Sequence, residues 1–157
     1  MTLLRKLSKQ SKADSPRPLS RNTLIPATTE RQMKIGNTYV EISLSKQHMW
    51  FFKDGQLLVD TDVVTGNHNK GWDTHTGVYA IMYKERDATL VGEDYSSPVK
   101  YWMPFYANTG IHDASWRSSF GGSEYLNNGS HGCVNTPPAN AEKIFNNIEK
   151  GVPVVVY

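Results

Sequence analysis

The sequence contains a single cysteine, Cys133, and no apolar run long enough to cross a membrane or to form the core of a secretory signal. A spanning helix needs about 20 apolar residues, and a signal core needs about 7 to 15. One cysteine cannot form an internal disulfide, and the C-x-x-C and H-E-x-x-H spacings of zinc sites do not occur. The sequence therefore predicts neither a disulfide framework nor a metal site.

The net charge is also small, because 17 basic residues nearly balance 15 acidic ones. The balance is uneven: residues 1–33 carry seven Lys or Arg against two acids, whereas residues 34–157 carry ten against thirteen. Residues 1–33 are rich in Ser, Thr and Pro and lack apolar periodicity, which is typical of a disordered tail or linker. We predict a basic tail at 1–33, either a solvated connector or a segment that touches an anionic polymer or membrane, and one domain at 34–157.

Alternation of apolar and polar residues predicts that this domain is mostly β. Residues 40–44 read VEISL, the period-two pattern of a strand with one wet face. The apolar runs 49–52 and 57–59 flank Asp54-Gly55, which is a strong hairpin signal. Further strands are predicted at residues 60–65, 77–83, 102–105 and 152–157.

Only one segment, near the C-terminus, has helical periodicity. Its apolar residues recur at i, i+3, i+4 and i+7, at Ala141, Ile144, Phe145 and Ile148. Thr136 is the predicted N-cap, Pro137 the first helical residue and Gly151 the stop signal. The predicted architecture is mostly β, with one helix in the C-terminal region and several glycine-rich loops.

Small and polar residues surround Cys133 and indicate a loop, because residues 129–135 read GSHGCVN. A buried structural cysteine is the alternative, but such a residue normally sits among aliphatic neighbours. A free thiol with a pKa of about 8.5 is mostly protonated at neutral pH, so it needs a nearby base or cation to react. His112 can take the proton or hold the thiolate as an ion pair. We predict that Cys133 is an activated nucleophile, ionised beside His112, in an acyl-transfer enzyme.

Two further groups are needed for acyl transfer, one to orient the base and one to stabilise the oxyanion. The ring of His112 can be held in one tautomer by the carboxylate of Asp113 or by a backbone carbonyl. Gly132 lets the chain bend, so the N–H groups of Gly132 and Cys133 are the predicted oxyanion donors.

These residues resemble the signature of the L,D-transpeptidase catalytic domains. His112 is followed, after seventeen residues, by Ser130-His131-Gly132-Cys133-Val134-Asn135, which is similar to the family's cysteine motif. Segments 64–66, 76–81 and 151–154 are similar to its strands. His75 stands where many members have proline, and Asp113 where many have serine or glycine. The His-Asp pair, continued by Trp116 and Arg117, resembles a variant found in Gram-positive members.

The resemblance implies an L,D-transpeptidase-like β-sandwich or barrel and a two-step reaction on peptidoglycan stem peptides. Cys133 is expected to form a thioester with the third stem residue, and an acceptor amine then gives a 3→3 cross-link. His112 acts as base and then acid, while Ser130, His131, Gly132 and Asn135 shape the loop and the oxyanion site. Two alternatives stay open: an L,D-carboxypeptidase that uses water, and a non-catalytic wall-binding module.

The same resemblance implies partners and a location. Carbapenems are expected to acylate Cys133, whereas no cofactor and no nucleic acid partner is implied. The protein is expected to be extracytoplasmic and associated with the cell wall, with its export signal, and any tether to membrane or wall, in residues outside this chain. Arg117 is a candidate to pair with the donor carboxylate, or else with a surface acid. Trp116 and Trp102 are candidates to pack against substrate, or else belong to the core.

Overall fold

The computed structural model describes residues 35–157, so the predicted basic tail at 1–33 lies outside the described residues. The described part is mostly β, as predicted, with nine strands and two helices. In chain order these are β1 (Tyr39–Ser43), β2 (His48–Lys53), β3 (Gln56–Asp62), β4 (Gly77–Ala80), β5 (Glu85–Val91), β6 (Ser96–Tyr106), β7 (Thr109–Asp113), α1 (Glu124–Asn128), β8 (Val134–Thr136), α2 (Pro138–Asn147) and β9 (Pro153–Val156).

The strands form two sheets that share one large apolar core. The first sheet has the order β3-β2-β1-β9-β4, and the second has the order β5-β6-β7-β8. β9 pairs with β1 in parallel and β8 pairs with β7 in parallel, whereas the remaining named neighbours are antiparallel. Helix α2 contacts β7, β6 and β3 and therefore covers the core between the sheets. Core residues from both sheets and α2 include Val40, Ile42, Met49, Phe51, Met103, Ile111, Val134, Ile144 and Val154.

Strand β1 is buried along its whole length, so the prediction that it has one wet face is wrong. Glu41 and Ser43, the two polar residues of the pattern, are 4% and 1% exposed. β1 lies between β2 and β9 in the centre of its sheet, and the hydroxyl of Tyr157 donates to Glu41 Oε1 at 3.3 Å. The polar face is therefore covered by protein, with its groups hydrogen-bonded as burial requires.

The hairpin that joins β2 to β3 is confirmed. Asp54 and Gly55 both have positive φ, at 53° and 84°, as a two-residue type I′ turn requires. β3 ends at Asp62, earlier than the strand predicted at 60–65. Beyond it, Val64 makes an isolated bridge to Asn135, which joins this segment to the region of the cysteine.

The C-terminal helix is confirmed, but the predicted cap is wrong. Thr136 is the last residue of β8, and its hydroxyl donates to Val134 O at 3.2 Å. Its carbonyl accepts from Ala114 N at 3.0 Å, so pairing beside β7 takes Thr136 out of the capping role. Pro137 is the N-cap, without a side-chain bond, and the helix begins at Pro138.

The same helix ends before the predicted glycine stop. Its last residue is Asn147, and Gly151 follows in the turn that leads to β9. Lys53 Nζ donates to Asn147 O at 2.9 Å and Lys84 Nζ donates to Phe145 O at 2.7 Å. Two cations therefore satisfy carbonyls at the negative end of the helix dipole.

Strands β5, β7 and β8 and helix α1 are present although the sequence did not predict them. β7 is short and includes Gly110, β8 has three residues, and α1 has five and buries none of them. In residues 35–157, no helix combines the length and apolar character needed to span a membrane.

Candidate active site

Parallel pairing of β7 with β8 places His112 next to Asn135. The register aligns Ile111 with Val134, His112 with Asn135 and Asp113 with Thr136. On its other side, β7 pairs with β6, where His112 lies opposite Trp102. Two segments that are remote in sequence are thus brought together by a backbone ladder, and His112 lies on a strand.

The loop that carries Cys133 is held by the chain segment after β3. Ser130 N donates to Thr65 O at 3.0 Å, and Asn67 N donates to Ser130 O at 2.9 Å. The buried hydroxyl of Thr74 donates to Gly132 O at 2.6 Å. A Cβ on Gly129 would lie 2.6 Å from the backbone of Asn67, so this approach needs glycine. These contacts fix the loop from outside.

Ser130 also holds the loop from inside, and this contact alters the predicted oxyanion site. Ser130 Oγ donates to Cys133 O at 2.6 Å and accepts from Gly132 N at 3.0 Å. The Gly132 N–H is therefore engaged within the loop, so its assignment as an oxyanion donor is wrong for this state. Of the predicted pair, the Cys133 N–H is the remaining candidate. Gly132 has φ of 138°, a conformation that favours glycine.

Cys133 opens onto a cavity of about 190 Å³. Its thiol donates to Asn108 O at 3.5 Å. Burial raises the pKa of Cys133 to about 11, although a backbone hydrogen bond from Gly110 acts in the opposite direction. The cavity is lined by Leu90, Tyr95, Ser97, His112, Trp116, Arg117, Gly129, Ser130, His131, Cys133 and Asn135.

His112 is 4% exposed and is oriented by a backbone carbonyl. Its Nδ1 lies 2.7 Å from Asp113 O, so Nδ1 carries the proton that it donates. The Asp113 carboxylate points elsewhere, accepting from Lys100 N at 2.9 Å and Tyr101 N at 2.8 Å. Of the two orienting groups predicted, the structure thus places the carbonyl, not the carboxylate, on the ring.

Burial also disfavours charge on His112. Its pKa is lowered, first by burial and further by the charge of Arg117, while the carbonyl and the charge of Asp113 act to raise it. The shifts of Cys133 and His112 both favour neutral forms. Both shifts run against the predicted thiolate ionised beside the ring, because they favour a protonated thiol and a neutral imidazole.

Asn135 connects His112 to Arg117. The Asn135 amide has one orientation that gives each of its atoms a complementary partner. In that orientation Nδ2 donates to His112 Nε2 at 3.1 Å, and Oδ1 accepts from Arg117 Nε at 2.8 Å and Nη2 at 3.2 Å. Burial lowers the pKa of Arg117, while the nearby charge of Glu124 raises it. The guanidinium, predicted to meet a substrate carboxylate or a surface acid, is directed at the amide.

An aromatic stack covers the outer side of the loop. The His131 ring lies between Trp72 and Tyr95, with centroids 4.4 Å from each. His131 Nε2 lies 3.5 Å from Asp94 Oδ1, on the turn that joins β5 to β6. Lys70 Nζ lies 4.8 Å from the centroid of Trp72. His131 is thus positioned by residues from two other segments, a role that its sequence motif alone does not reveal.

The two tryptophans proposed as substrate contacts occupy different positions. Trp116 is 52% exposed, lines the cavity and has its ring 5.9 Å from that of His112. Trp102 is 6% exposed and packs with Ala88 and Val99, with Cys133 partly buried against the same cluster. Its Nε1 donates to Tyr83 Oη at 3.3 Å. The structure therefore leaves Trp116 available to a ligand and places Trp102 beneath the site.

Several contacts of the site involve residues that the sequence did not single out. Asn108 accepts from the thiol through its carbonyl, and Thr65, Asn67 and Thr74 hold the loop. Most of these contacts use backbone atoms, which every residue has, so the sequence does not reveal them. Within residues 35–157, no group of three or more His, Cys, Asp or Glu side chains is arranged to hold a metal ion.

The family model and the solved structures that this chain resembles are all described as L,D-transpeptidases. Residues 37–156 match the YkuD family model, the L,D-transpeptidase catalytic domain, whereas no curated protein matches. The chain is similar to the structure of a cysteine-to-serine mutant of Enterococcus faecium L,D-transpeptidase, with 44% identity and a TM-score of 0.75 over 78% of this chain and 50% of that one. It thus spans about half the length of that relative.

Two further solved structures place the likeness on the catalytic domain. The E. faecium L,D-transpeptidase catalytic domain acylated by ertapenem is 45% identical, with a TM-score of 0.69 over 77% of this chain and 97% of that one. An L,D-transpeptidase from Mycobacterium tuberculosis H37Rv shares the fold at 23% identity, with a TM-score of 0.67 over 77% of this chain and 57% of that one. These matches confirm the resemblance and fold class predicted from the sequence.

Proposed function

The chain belongs to the YkuD family of L,D-transpeptidase catalytic domains, and on this premise we propose that it is a cysteine-dependent peptidoglycan L,D-transpeptidase that forms 3→3 cross-links. The observation that carries the proposal is that Cys133 and His112 line one open cavity, with the imidazole held in a single orientation. A buried structural cysteine has no need of such a partner or of an opening to solvent.

The first half of the reaction transfers the donor acyl group to sulfur. The thiol leaves Asn108 O, takes the place of the Asn135 amide at His112 Nε2, gives its proton to that nitrogen and attacks the carbonyl carbon of the third stem residue. We assign the Cys133 N–H the task of stabilising the developing oxyanion. Collapse of the tetrahedral intermediate breaks the amide C–N bond, and His112 returns the proton to the departing D-Ala amine. A thioester remains on Cys133.

The second half reverses these roles. An amine from the third residue of a neighbouring stem loses a proton to His112 and attacks the thioester carbon. The sulfur leaves and takes that proton, which restores the thiol and releases the cross-linked product. Because burial disfavours charge on both Cys133 and His112, the proton moves when substrate is bound and is not transferred in advance. This makes His112 a general base, not the permanent partner of a thiolate.

The expected inhibitors of the protein follow from a solved relative, and its expected location follows from the proposed substrate. The E. faecium catalytic domain has been solved acylated by ertapenem, and a strained lactam carbonyl offers Cys133 the same kind of electrophile as the donor amide. The substrate lies outside the cytoplasm, so we place the protein there, associated with the cell wall.

The decisive experiment identifies the products formed from a disaccharide tetrapeptide by mass spectrometry. A cross-linked dimer that requires Cys133 supports the proposal. Tripeptide alone would indicate the carboxypeptidase, in which water resolves the thioester, and unchanged substrate would indicate a wall-binding module.

A second measurement tests the nucleophile directly. Intact mass after exposure to a carbapenem is expected to show one adduct per chain. Cys133→Ala is expected to show none, because the chain has no other cysteine. A wild-type protein that stays unmodified would overturn the assignment of Cys133.

A further inference from the structure

The side-chain amide of Asn135, on strand β8, is oriented by Arg117. Two donors of one guanidinium, Nε at 2.8 Å and Nη2 at 3.2 Å, converge on Asn135 Oδ1. A guanidinium has no acceptor atom, so the amide nitrogen cannot occupy this position without losing both bonds. Nδ2 is thereby directed to His112 Nε2, 3.1 Å away. Asn135 is 2% exposed, so water does not compete freely for the amide.

This arrangement selects one tautomer of His112. An N–H donor placed at Nε2 requires a lone pair there, and the carbonyl of Asp113, 2.7 Å from Nδ1, requires a proton on Nδ1. Both ends of the ring therefore favour the same neutral form. The nitrogen left without a proton is Nε2, beside Asn135, and the residues His112 and Cys133 both line the cavity.

We propose that Arg117 is a positioning residue for the acyl transfer described above, acting through Asn135 to keep the proton-accepting lone pair on His112 Nε2. The inference rests on the proposed function, because it assigns Nε2 the task of receiving the thiol proton. The hydrogen bonds of Arg117 go to Asn135 and set the orientation of its amide, while the charge of Arg117 also lowers the pKa of His112 directly.

The charges around the ring give the proposal a pH signature. The titratable and charged groups near the His112 ring are Asp113 from β7, Arg117 from the segment that follows β7, Cys133 and His131 from the loop before β8, and Tyr95 from the β5–β6 turn. Loss of the guanidinium removes a cation. It also lets the amide rotate and present Oδ1 to the ring, and both changes favour the imidazolium.

The expected sign follows from the role of the base. The imidazolium cannot accept a proton, so acylation is lost as pH falls through the pKa of His112. Raising this pKa moves the acid limb of the pH profile to higher pH. A rise on the order of one unit would slow acylation about tenfold at a pH below both limbs, while the rate at high pH would change far less.

The experiment compares the wild-type chain of residues 1–157 with Arg117→Met and Arg117→Lys. The rate of acylation by a carbapenem is measured between pH 5 and pH 9. We expect the acid limb to move upward in Arg117→Met and to return part of the way in Arg117→Lys, which restores the charge and one donor. Arg86→Met is the matched control, because Arg86 contacts Tyr101 and Phe145 outside the cavity.

The tautomer is read independently by ¹⁵N NMR of the His112 ring. We expect a protonated Nδ1 and a bare Nε2 in the wild type, and loss of this pattern in Arg117→Met. A wild-type ring with its proton on Nε2 would overturn the inference even if the variant failed to fold. A folded Arg117→Met with the wild-type pH profile of acylation and the wild-type tautomer of His112 would also overturn it. A wild type that no carbapenem acylates would overturn the proposed function, while the NMR result would still decide the role of Arg117.

Discussion

Strands β1 and β7 are both flanked by two strands, both five residues long and almost wholly buried, yet only β7 carries a residue of the candidate site. In β1 the buried Glu41 faces protein, where the Tyr157 hydroxyl meets its carboxylate. In β7 the buried His112 faces a cavity that also contains Cys133. Burial alone therefore does not distinguish a structural polar residue from a reactive one. The distinction lies in what the polar atom faces.

The neighbouring strands explain this difference. β1 is flanked by strands β2 and β9, which pair with it directly. β7 has the long β6 on one side but only the three residues of β8 on the other. The loop that carries Cys133 leads directly into β8, the edge strand, and therefore lies beside His112. In the described part of the chain, no such loop enters beside β1, whose partner β9 is followed by Tyr157.

The largest effect expected from this comparison is on the rate after His112→Ala. Removing a general base typically slows a reaction by about 10² to 10⁴-fold, and carbapenem acylation should fall by that amount. The ring is buried and hydrogen-bonded to Asp113 O, so we also expect a lower melting temperature, and the rates are compared between folded proteins. His68→Ala is the control, because the side chain of His68 is 56% exposed and pairs with Asp73. A wild-type rate in His112→Ala would contradict the assignment of the base.

The opposite result is expected for Ile42→Ala in β1. Ile42 is fully buried, and such a truncation lowers the free energy of unfolding by about 2 to 5 kcal/mol. Chemical denaturation measures the loss, and Leu57→Ala, at a side chain 45% exposed, should lose far less. The acylation rate of folded Ile42→Ala should equal that of the wild type. A slower rate in the folded protein would show that β1 also shapes the site.

Sequence patterns predicted the parts of the fold that are locally encoded. The Asp54-Gly55 hairpin and the amphipathic C-terminal helix depend on residues a few positions apart, and both are present. β7 escaped prediction because Gly110 interrupts a run of only five residues. The local signal at Thr136 favours a helix cap, but pairing beside β7 decides its conformation. Long-range pairing overrides a local preference in both cases.

The candidate site divides in the same way. Cys133 and His112 were recognisable because their chemistry resides in side chains. The acceptor of the thiol is a backbone carbonyl of Asn108, and the orienting group of His112 is a backbone carbonyl of Asp113. Any residue supplies such an atom, so no residue type marks it. The neutral state of the pair depends on burial, which only the assembled cavity determines.

Asp113→Ala sharpens the comparison within β7, because Asp113 and His112 are adjacent and face different surroundings. The carboxylate accepts from the backbone N–H groups of Lys100 and Tyr101. Leaving a buried donor without a partner costs about 1 to 3 kcal/mol, so we expect a lower free energy of unfolding. Acylation by the folded variant should fall less than tenfold. A loss as complete as in His112→Ala, with the fold intact, would mean that the carboxylate takes part in the chemistry.

The smallest expected effect concerns the protonation of the thiol. Burial raises the pKa of Cys133 from 9.0 to about 11. The rate of alkylation of the folded protein should therefore rise with pH, with a midpoint near pH 11. The urea-unfolded chain should show the lower midpoint, and the single cysteine makes the signal unambiguous.

The same shift affects stability, and its sign can be derived. Between pH 9 and pH 11 the unfolded chain releases the thiol proton while the folded chain keeps it. Deprotonation therefore favours unfolding, and the contribution of this group to stability falls as pH rises through that window. Cys133→Ser is the control, because its hydroxyl does not titrate there. A folded thiol with a midpoint below pH 8 would show that the site stabilises a thiolate before substrate arrives, and His112 would then act as its cationic partner instead of as a base.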